Sequence, residues 1–277
     1  MTLELTSSAA LANGVQMPWL GLGVWKVTEG EEVVKSVRSA LEIGYRSIDT
    51  AAVYGNEEGV GRAIRESGVP RDRLFVTTKV WNADQGYDST LAAYDQSLSK
   101  LGMDYVDLYL IHWPVKGKYK DTWRALEKLY KDGRVRAIGV SNFHVHHLED
   151  LLPEAEIKPM VDQVEYHPRL AQLPLLKFCK EQGIQMEAWS PLMQGKELLS
   201  HELITELAGK YGKTAAQIIL RWDLQHGVVT IPKSVTPSRI QENAQIFDFE
   251  LSAEDMQRIN GLNEDRRVGP DPDNFNF

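Results

Sequence analysis

The stretch YVDLYLIHWPVKGKYKDTWRALEKLYKDGRVRAIGVSN, residues 105–142, decides the fold. It opens with an apolar run rich in β-branched and aromatic residues (105–113) and passes through a polar loop into a helical pattern. In that pattern Trp123, Leu126 and Leu129 recur at three-residue steps while charges occupy the other face. Gly133 stands where such a helix should stop. A second apolar run, 135–142, then begins. Two buried strands joined by an amphipathic helix are the unit of a parallel sheet covered by helices.

The same unit recurs outward in both directions. Further strand-like runs lie at 20–25, 45–49, 74–80, 160–167, 185–192 and 228–234, with Gly183 at another helix stop. Eight units in roughly 250 residues match the count and size of a (β/α)8 TIM barrel. A doubly wound open sheet is the competing arrangement, and the count favours the barrel. Ahead of the first unit, AALANGVQMPW (9–19) holds an Asn13-Gly14 pair between short apolar runs, which predicts a β-hairpin at the barrel bottom. After the last strand, PSRIQENAQIF and SAEDMQRINGL predict two extra helices, and NEDRRVGPDPDNFNF a C-terminal loop lying over some surface. No linker divides the chain, so a single domain spanning 1–277 is expected.

Composition narrows the function. The hydrophobic share of 43% and charged share of 25% belong to a chain that folds. A net charge of −8 disfavours nucleic acid as a partner, and any anionic ligand must find a local basic cluster. No apolar run approaches the roughly 18 residues of a membrane helix, and the start lacks a secretory pattern, so a cytoplasmic protein without membrane contact is expected. The one cysteine, Cys179, has apolar neighbours and reads as a packed thiol.

In a barrel, chemistry sits where strands end. The polar residues there are Asp49, Tyr54, Lys79, His112, Ser141, Asn142 and Gln163. Singly, each has a plain structural reading: Asp49 as a helix cap, Lys79 as a strand-end charge, His112 as a hydrogen-bonded core histidine. Together at one rim they indicate a site.

The runs GLGVWK, GYRSIDTAAVYGNEEGVGRAI, TTKVWN, DLYLIHWP, RAIGVSNF, VDQVEYHP, EAWSPL, and IPKS followed by RIQEN resemble the aldo-keto reductases, in that family's order and over nearly the whole chain. Within the family the chain is most similar to bacterial reductases of glyoxal and methylglyoxal, with 2,5-diketo-gluconate reductases as near relatives. The resemblance implies NADPH-dependent reduction of aldehydes and ketones by a monomer, with a catalytic tetrad at Asp49, Tyr54, Lys79 and His112. Carbonyl reduction needs a hydride on carbon and a proton on oxygen. A free tyrosine, with a pKa near ~10, is a weak proton donor. A neighbouring ammonium favours its phenolate, so Lys79 is expected to lower the Tyr54 pKa, with Asp49 holding Lys79 charged and His112 directing the substrate oxygen.

GLGVWK carries Lys26 where a dinucleotide-binding glycine motif needs its third glycine, so that motif is not supported. The resemblance instead implies an extended nicotinamide cofactor across the barrel top. Ser141, Asn142 and Gln163 would hold the carboxamide and Trp189 would stack on the ring. Val24, Trp25, Asp49, Ser190, Pro191, Leu192 and Gln194 would line its path. Lys233, Ser234, Val235 and Arg239 would receive a 2′-phosphate, with Glu242 and Asn243 at the adenine. Trp25, Trp81 and Trp113, with Tyr54 and His112, are expected to cluster as the substrate pocket. The tail from Val268 would cover it.

HVHH (144–147) raises a metal question, but no cysteine or spaced partner accompanies it in the sequence, and no metal is expected. Two rival readings are a noncatalytic cofactor-binding sensor, disfavoured by the intact tetrad, and a hydrolase using Asp162 and Glu165. Those two acids stand at an odd spacing in one strand and point to opposite faces.

Overall fold

A computed structural model describes residues 3–195 and 197–277 of the chain. It begins with the expected hairpin: β1 (Ser8–Ala10) pairs antiparallel with β2 (Gln16–Pro18), around Gly14 at φ 84°. Asn13 Nδ2 donates to the carbonyl of Arg136 at 2.9 Å, and Met17 is fully buried, so the hairpin floors the main sheet at the N-terminal ends of its strands.

Among the described residues that sheet has eight strands in sequential, all-parallel order: β3 (Leu22–Gly23), β4 (Ser47–Asp49), β5 (Phe75–Val80), β6 (Val106–Ile111), β7 (Val135–Ser141), β8 (Val161–Glu165), β9 (Gln185–Trp189) and β10 (Val229–Thr230). Its two edges meet. Leu20 bridges Thr230 and Gly23 bridges Lys233, with the Gly21 amide donating to Thr230 O at 3.0 Å and the Thr230 amide to Trp19 O at 3.1 Å. A sheet whose first and last strands join is a barrel, and the doubly wound alternative falls.

The seam strands are shorter than the sequence reading of 20–25 and 228–234. Closure there rests on isolated bridges, and the chain turns away at Lys26, where φ is 58°. The run 185–192 also ends early, at Trp189, because Ser190 takes φ 52° and leaves the pleat.

Among the described residues ten α-helices pack around and beyond the sheet: α1 (Glu31–Ile43), α2 (Glu57–Ser67), α3 (Tyr87–Leu101), α4 (Tyr119–Lys131), α5 (Val145–Leu151), α6 (Leu173–Gln182), α7 (Glu202–Tyr211), α8 (Ala215–Gln225), α9 (Pro237–Ala244) and α10 (Ala253–Asn260). The stripe Trp123, Leu126 and Leu129 on α4 is buried, as its spacing requires, and Gly133 (φ 71°) and Gly183 (φ 73°) follow α4 and α6 in the left-handed conformation. Among the described residues no helix is long and apolar enough to cross a membrane. Cys179 on α6 is buried, and burial pushes its thiol pKa up, which leaves it inert.

Gly139, in β7, shows how closely the strands are fitted. A Cβ there would lie 2.5 Å from the Val161 carbonyl oxygen and 2.8 Å from Leu110 Cδ2. Gly139→Ala is therefore expected to lower stability by about 1–3 kcal/mol through overpacking. Gly209→Ala, on an open face of α7 with nothing within 4 Å, is expected to be neutral or stabilising by up to about 1 kcal/mol. Urea unfolding of the two variants, side by side, measures the difference.

Candidate active site

The strand ends on the C-terminal face of the barrel bring the four expected residues together. Asp49 ends β4, Lys79 lies near the end of β5, and His112 directly follows β6. Tyr54 closes a single 3-10 turn, Ala52–Tyr54, after β4. That turn is braced by Asn56, whose Oδ1 accepts from Thr50 Oγ1 at 2.7 Å and whose Nδ2 donates to Val24 O and Val27 O. Lys79 is fully buried and donates to Asp49 Oδ1 at 2.7 Å and to Thr50 O at 2.9 Å. Asp49 is thus the partner of an ammonium, not a helix cap. One ammonium hydrogen remains for the phenol, whose ring centre lies 5.1 Å from Nζ. The His112 ring stands edge-on to Tyr54 at 5.7 Å, and its Nδ1 has no partner among the described residues.

The charge states differ from the sequence reading at one position. Burial pushes the Tyr54 phenol above its ordinary pKa, and the attraction of Lys79 opposes this without prevailing. The expected lowering is not seen, because loss of water around the phenolate outweighs one nearby cation. For Lys79, burial favours losing the proton, yet attraction to Asp49 and Tyr54 outweighs it and the ammonium is held above its ordinary pKa. Burial, aided by repulsion from Lys79, pushes His112 well below the usual imidazole range, so the ring is neutral at pH 7.

Next to the tetrad lie the residues expected at the nicotinamide. Ser141 Oγ donates to Gln163 O at 2.7 Å, and Asn142 is clamped by donating to His112 O at 2.9 Å and accepting from Trp189 Nε1 at 2.9 Å. Asn142 has φ 64°, and in the loop after β9 Ser190, Met193 and Gln194 also have positive φ, so strained backbone gathers on this rim. Ser190 Oγ is buried without a partner among the described residues, beside buried Pro191 and half-buried Leu192.

The Gly23–Lys233 bridge sets buried Val24 and exposed Trp25 next to the start of α9. There Lys233, Val235 and Arg239 are exposed, and among the described residues neither Lys233 nor Arg239 makes an ion pair. Ser234 Oγ accepts from the Thr236 amide, Glu242 accepts from Thr214 Oγ1, and Asn243 is buried. Two uncommitted cations and an orphaned hydroxyl fit an elongated anionic cofactor.

Of the expected pocket aromatics, Trp81 packs on His112 at 5.2 Å and Trp113 lies beside it. The tail adds Phe277, stacked on Trp81 at 5.8 Å, and Phe275 against Trp113 at 5.2 Å. Trp25 does not join this cluster: it is 41% exposed, with the Lys26 ammonium 4.2 Å over its ring. The tail is anchored at a residue that carries no signal in the sequence. Glu165 accepts from the amides of Val268 (2.6 Å) and Gly269 (3.0 Å), as well as pairing with His167. Glu165 is thereby committed, which removes the paired-carboxylate hydrolase.

A model of the aldo/keto reductase family matches residues 19–264. The glyoxal reductase of Bacillus subtilis (strain 168) is 66% identical, over 100% of both chains. Among solved structures, MGS-M4, an aldo-keto reductase enzyme from a Medee basin deep-sea metagenome library, superposes with TM-score 0.95 at 50% identity, over 98% of this chain and 100% of that one. A mutant of Gox0644 in complex with NADPH superposes with TM-score 0.93 at 44% identity, over 98% of this chain and 99% of that one.

One acid at the centre escaped the sequence reading. Glu187, in β9, is fully buried, and its Oε2 accepts from Gln163 Nε2 at 2.8 Å while its Oε1 has no partner among the described residues. The same Nε2 donates to Asp49 Oδ2 at 2.7 Å. A carboxyl inside an otherwise apolar strand run, MEAW, was the available signal. Burial first, and repulsion from Asp49 second, push the Glu187 pKa up to about 8. The folded protein therefore holds a proton that the unfolded chain releases above pH ~4.3, so this group's contribution to stability declines as pH rises from there to about 8. Glu187→Gln removes the dependence. Between pH 5 and 8 the wild type is expected to lose at least about 1.4 kcal/mol more than the variant, measured by urea unfolding at each pH.

Proposed function

This chain belongs to the aldo/keto reductase family, and we propose that it reduces small aldehydes and ketones, dicarbonyls such as glyoxal and methylglyoxal foremost, with NADPH as reductant. The observation that carries this reading is the buried Asp49–Lys79 pair beside Tyr54 and His112. NADPH, when bound, supplies a hydride to the carbonyl carbon. The protein's part is to orient the carbonyl and deliver a proton to its oxygen.

Tyr54 is the proton donor. With its pKa held above the ordinary value, the phenol keeps its proton throughout the neutral range. As the proton leaves, Lys79 stabilises the phenolate, and Asp49 keeps the ammonium charged and in place. Neutral His112 can donate a hydrogen bond to the carbonyl oxygen without competing as an acid. Gln163 commits both Nε2 hydrogens to Asp49 and Glu187, so its Oε1 is left to accept from the carboxamide amine. Lys233 and Arg239 receive the 2′-phosphate, which favours NADPH over NADH.

The glyoxal reductase relative, and a mouth narrowed by Trp81, Trp113 and Phe277, support a small flat substrate. A diketo sugar needs more polar partners than these rings provide. Measuring NADPH oxidation across glyoxal, methylglyoxal, aromatic aldehydes and diketo sugars tests the substrate class, and a higher kcat/KM for the sugars would overturn it.

Tyr54→Phe is expected to reduce kcat by about 10²–10⁴ while NADPH still quenches tryptophan fluorescence with unchanged affinity. Retention of most of the rate would remove Tyr54 from the mechanism. Arg239→Ala is expected to raise the KM for NADPH by roughly tenfold or more, at about 1.5–3 kcal/mol for a lost charged hydrogen bond, and to leave the KM for NADH alone.

A further inference from the structure

The motif HVHH takes no part in the reaction described above. In the sequence it has no partner, but the fold brings two to it. Asp273 in the tail sets Oδ1 at 2.8 Å from His146 Nε2 and 3.4 Å from His147 Nε2, and Oδ2 at 3.8 Å from His144 Nε2. Asp271 Oδ1 lies 3.5 Å from His144 Nε2, across 127 residues of chain. The donor atoms of His146, His147 and Asp273 fall within 4.8 Å of one another, and so do those of His144, Asp271 and Asp273. The two groups share Asp273.

The rings are not equivalent. His147 Nδ1 accepts the backbone N–H of His144 at 3.0 Å, so a neutral His147 carries its proton on Nε2 and turns that N–H toward the Asp273 carboxylate. It is an outer support, of the kind that orients a ligating carboxylate. His144 and His146 present Nε2 to the carboxylates. His146 is 59% exposed at its side chain and free to turn its ring toward the shared carboxylate.

We propose that His144, Asp271 and Asp273, whose donor atoms lie within 4.8 Å of one another, bind one divalent transition-metal ion of the zinc class, with the exposed His146 ring, already at Asp273, turning to supply the fourth donor and the C-terminal tail clipped to the start of α5. Two imidazole nitrogens and two carboxylate oxygens suit a four-coordinate zinc ion, whereas magnesium and calcium take all-oxygen shells. The consequence lies four residues further along the chain, where Phe277 stacks on Trp81, which in turn packs on His112. Asn82 Nδ2 holds the Phe277 carbonyl at 3.0 Å. An ion on Asp271 and Asp273 therefore fixes the tail just before the ring that roofs the pocket, and makes the lifting of that roof harder. The site depends on its own ligands, so it can stand or fall independently of the carbonyl chemistry.

Cobalt titration of the full chain, with NADPH present, tests the site. One Co²⁺ per chain should bind with the visible absorption of a four-coordinate ion, and Zn²⁺ should displace it. Asp273→Asn, and His144→Ala combined with His146→Ala, should each weaken binding by at least about tenfold, with thermal unfolding confirming that the variants fold. Absence of cobalt uptake at millimolar concentration, or variants that bind as well as wild type, would overturn the site. A second readout tests the clip: saturating Zn²⁺ should slow removal of Phe277 by a serine carboxypeptidase several-fold in the wild type and not in the variants. Equal rates with and without bound ion would overturn the clip.

Discussion

Lys79 is an ammonium with no access to water, and most of the candidate site follows from the need to pair it. Its charge is answered by Asp49, whose second oxygen takes a hydrogen from Gln163, which gives its other hydrogen to Glu187. The four residues come from β5, β4, β8 and β9, so the chain of contacts spans the barrel mouth and exists only when the barrel is closed. One cation cannot balance two carboxylates in so dry a place. Glu187 resolves the excess by keeping its proton, as its raised pKa requires.

The two ends of the barrel are built to different standards. At the floor, Asp107 accepts from the Val76 amide and pairs with both Arg71 and Arg136 at 2.7 Å, so a buried acid there is fully satisfied. At the mouth, Ser190 Oγ and His112 Nδ1 have no partner among the described residues, and Asn142, Ser190 and Gln194 hold left-handed backbone at a cost of about 1–3 kcal/mol each. Strained backbone is tolerated where a ligand is to complete the bonding. The same rim receives the tail, which Glu165 ties down through two backbone amides.

Much of this was legible along the chain. Residue type and position marked Asp49, Tyr54, Lys79 and His112, because titratable side chains at the ends of apolar runs stand out. Apolar periodicity located the helices, as Trp123, Leu126 and Leu129 illustrate. The seam strands are shorter than their apolar runs suggest, since a run such as 20–25 does not reveal where ladder pairing gives way to single bridges. Glu187 and Glu165 were missed in their roles because a carboxyl within a strand gives no sign of which face it occupies or what meets it. Among the described residues Trp25 stacks on no ring of the aromatic cluster that its position suggests, because adjacency to a strand end does not fix side-chain direction.

The sequence by itself determined the alternation of strand and helix, and with it the strand ends at which Asp49, Tyr54, Lys79 and His112 stand, because hydrophobic period and glycine stops are local properties. Tertiary structure alone decided the sign of the Tyr54 shift, the sharing of Gln163 between two acids, and the meeting of HVHH with Asp273. Each depends on distance and dehydration between groups far apart in the chain. A pKa is set by the balance of desolvation against nearby charge, and that balance has no value until the surrounding atoms are in place.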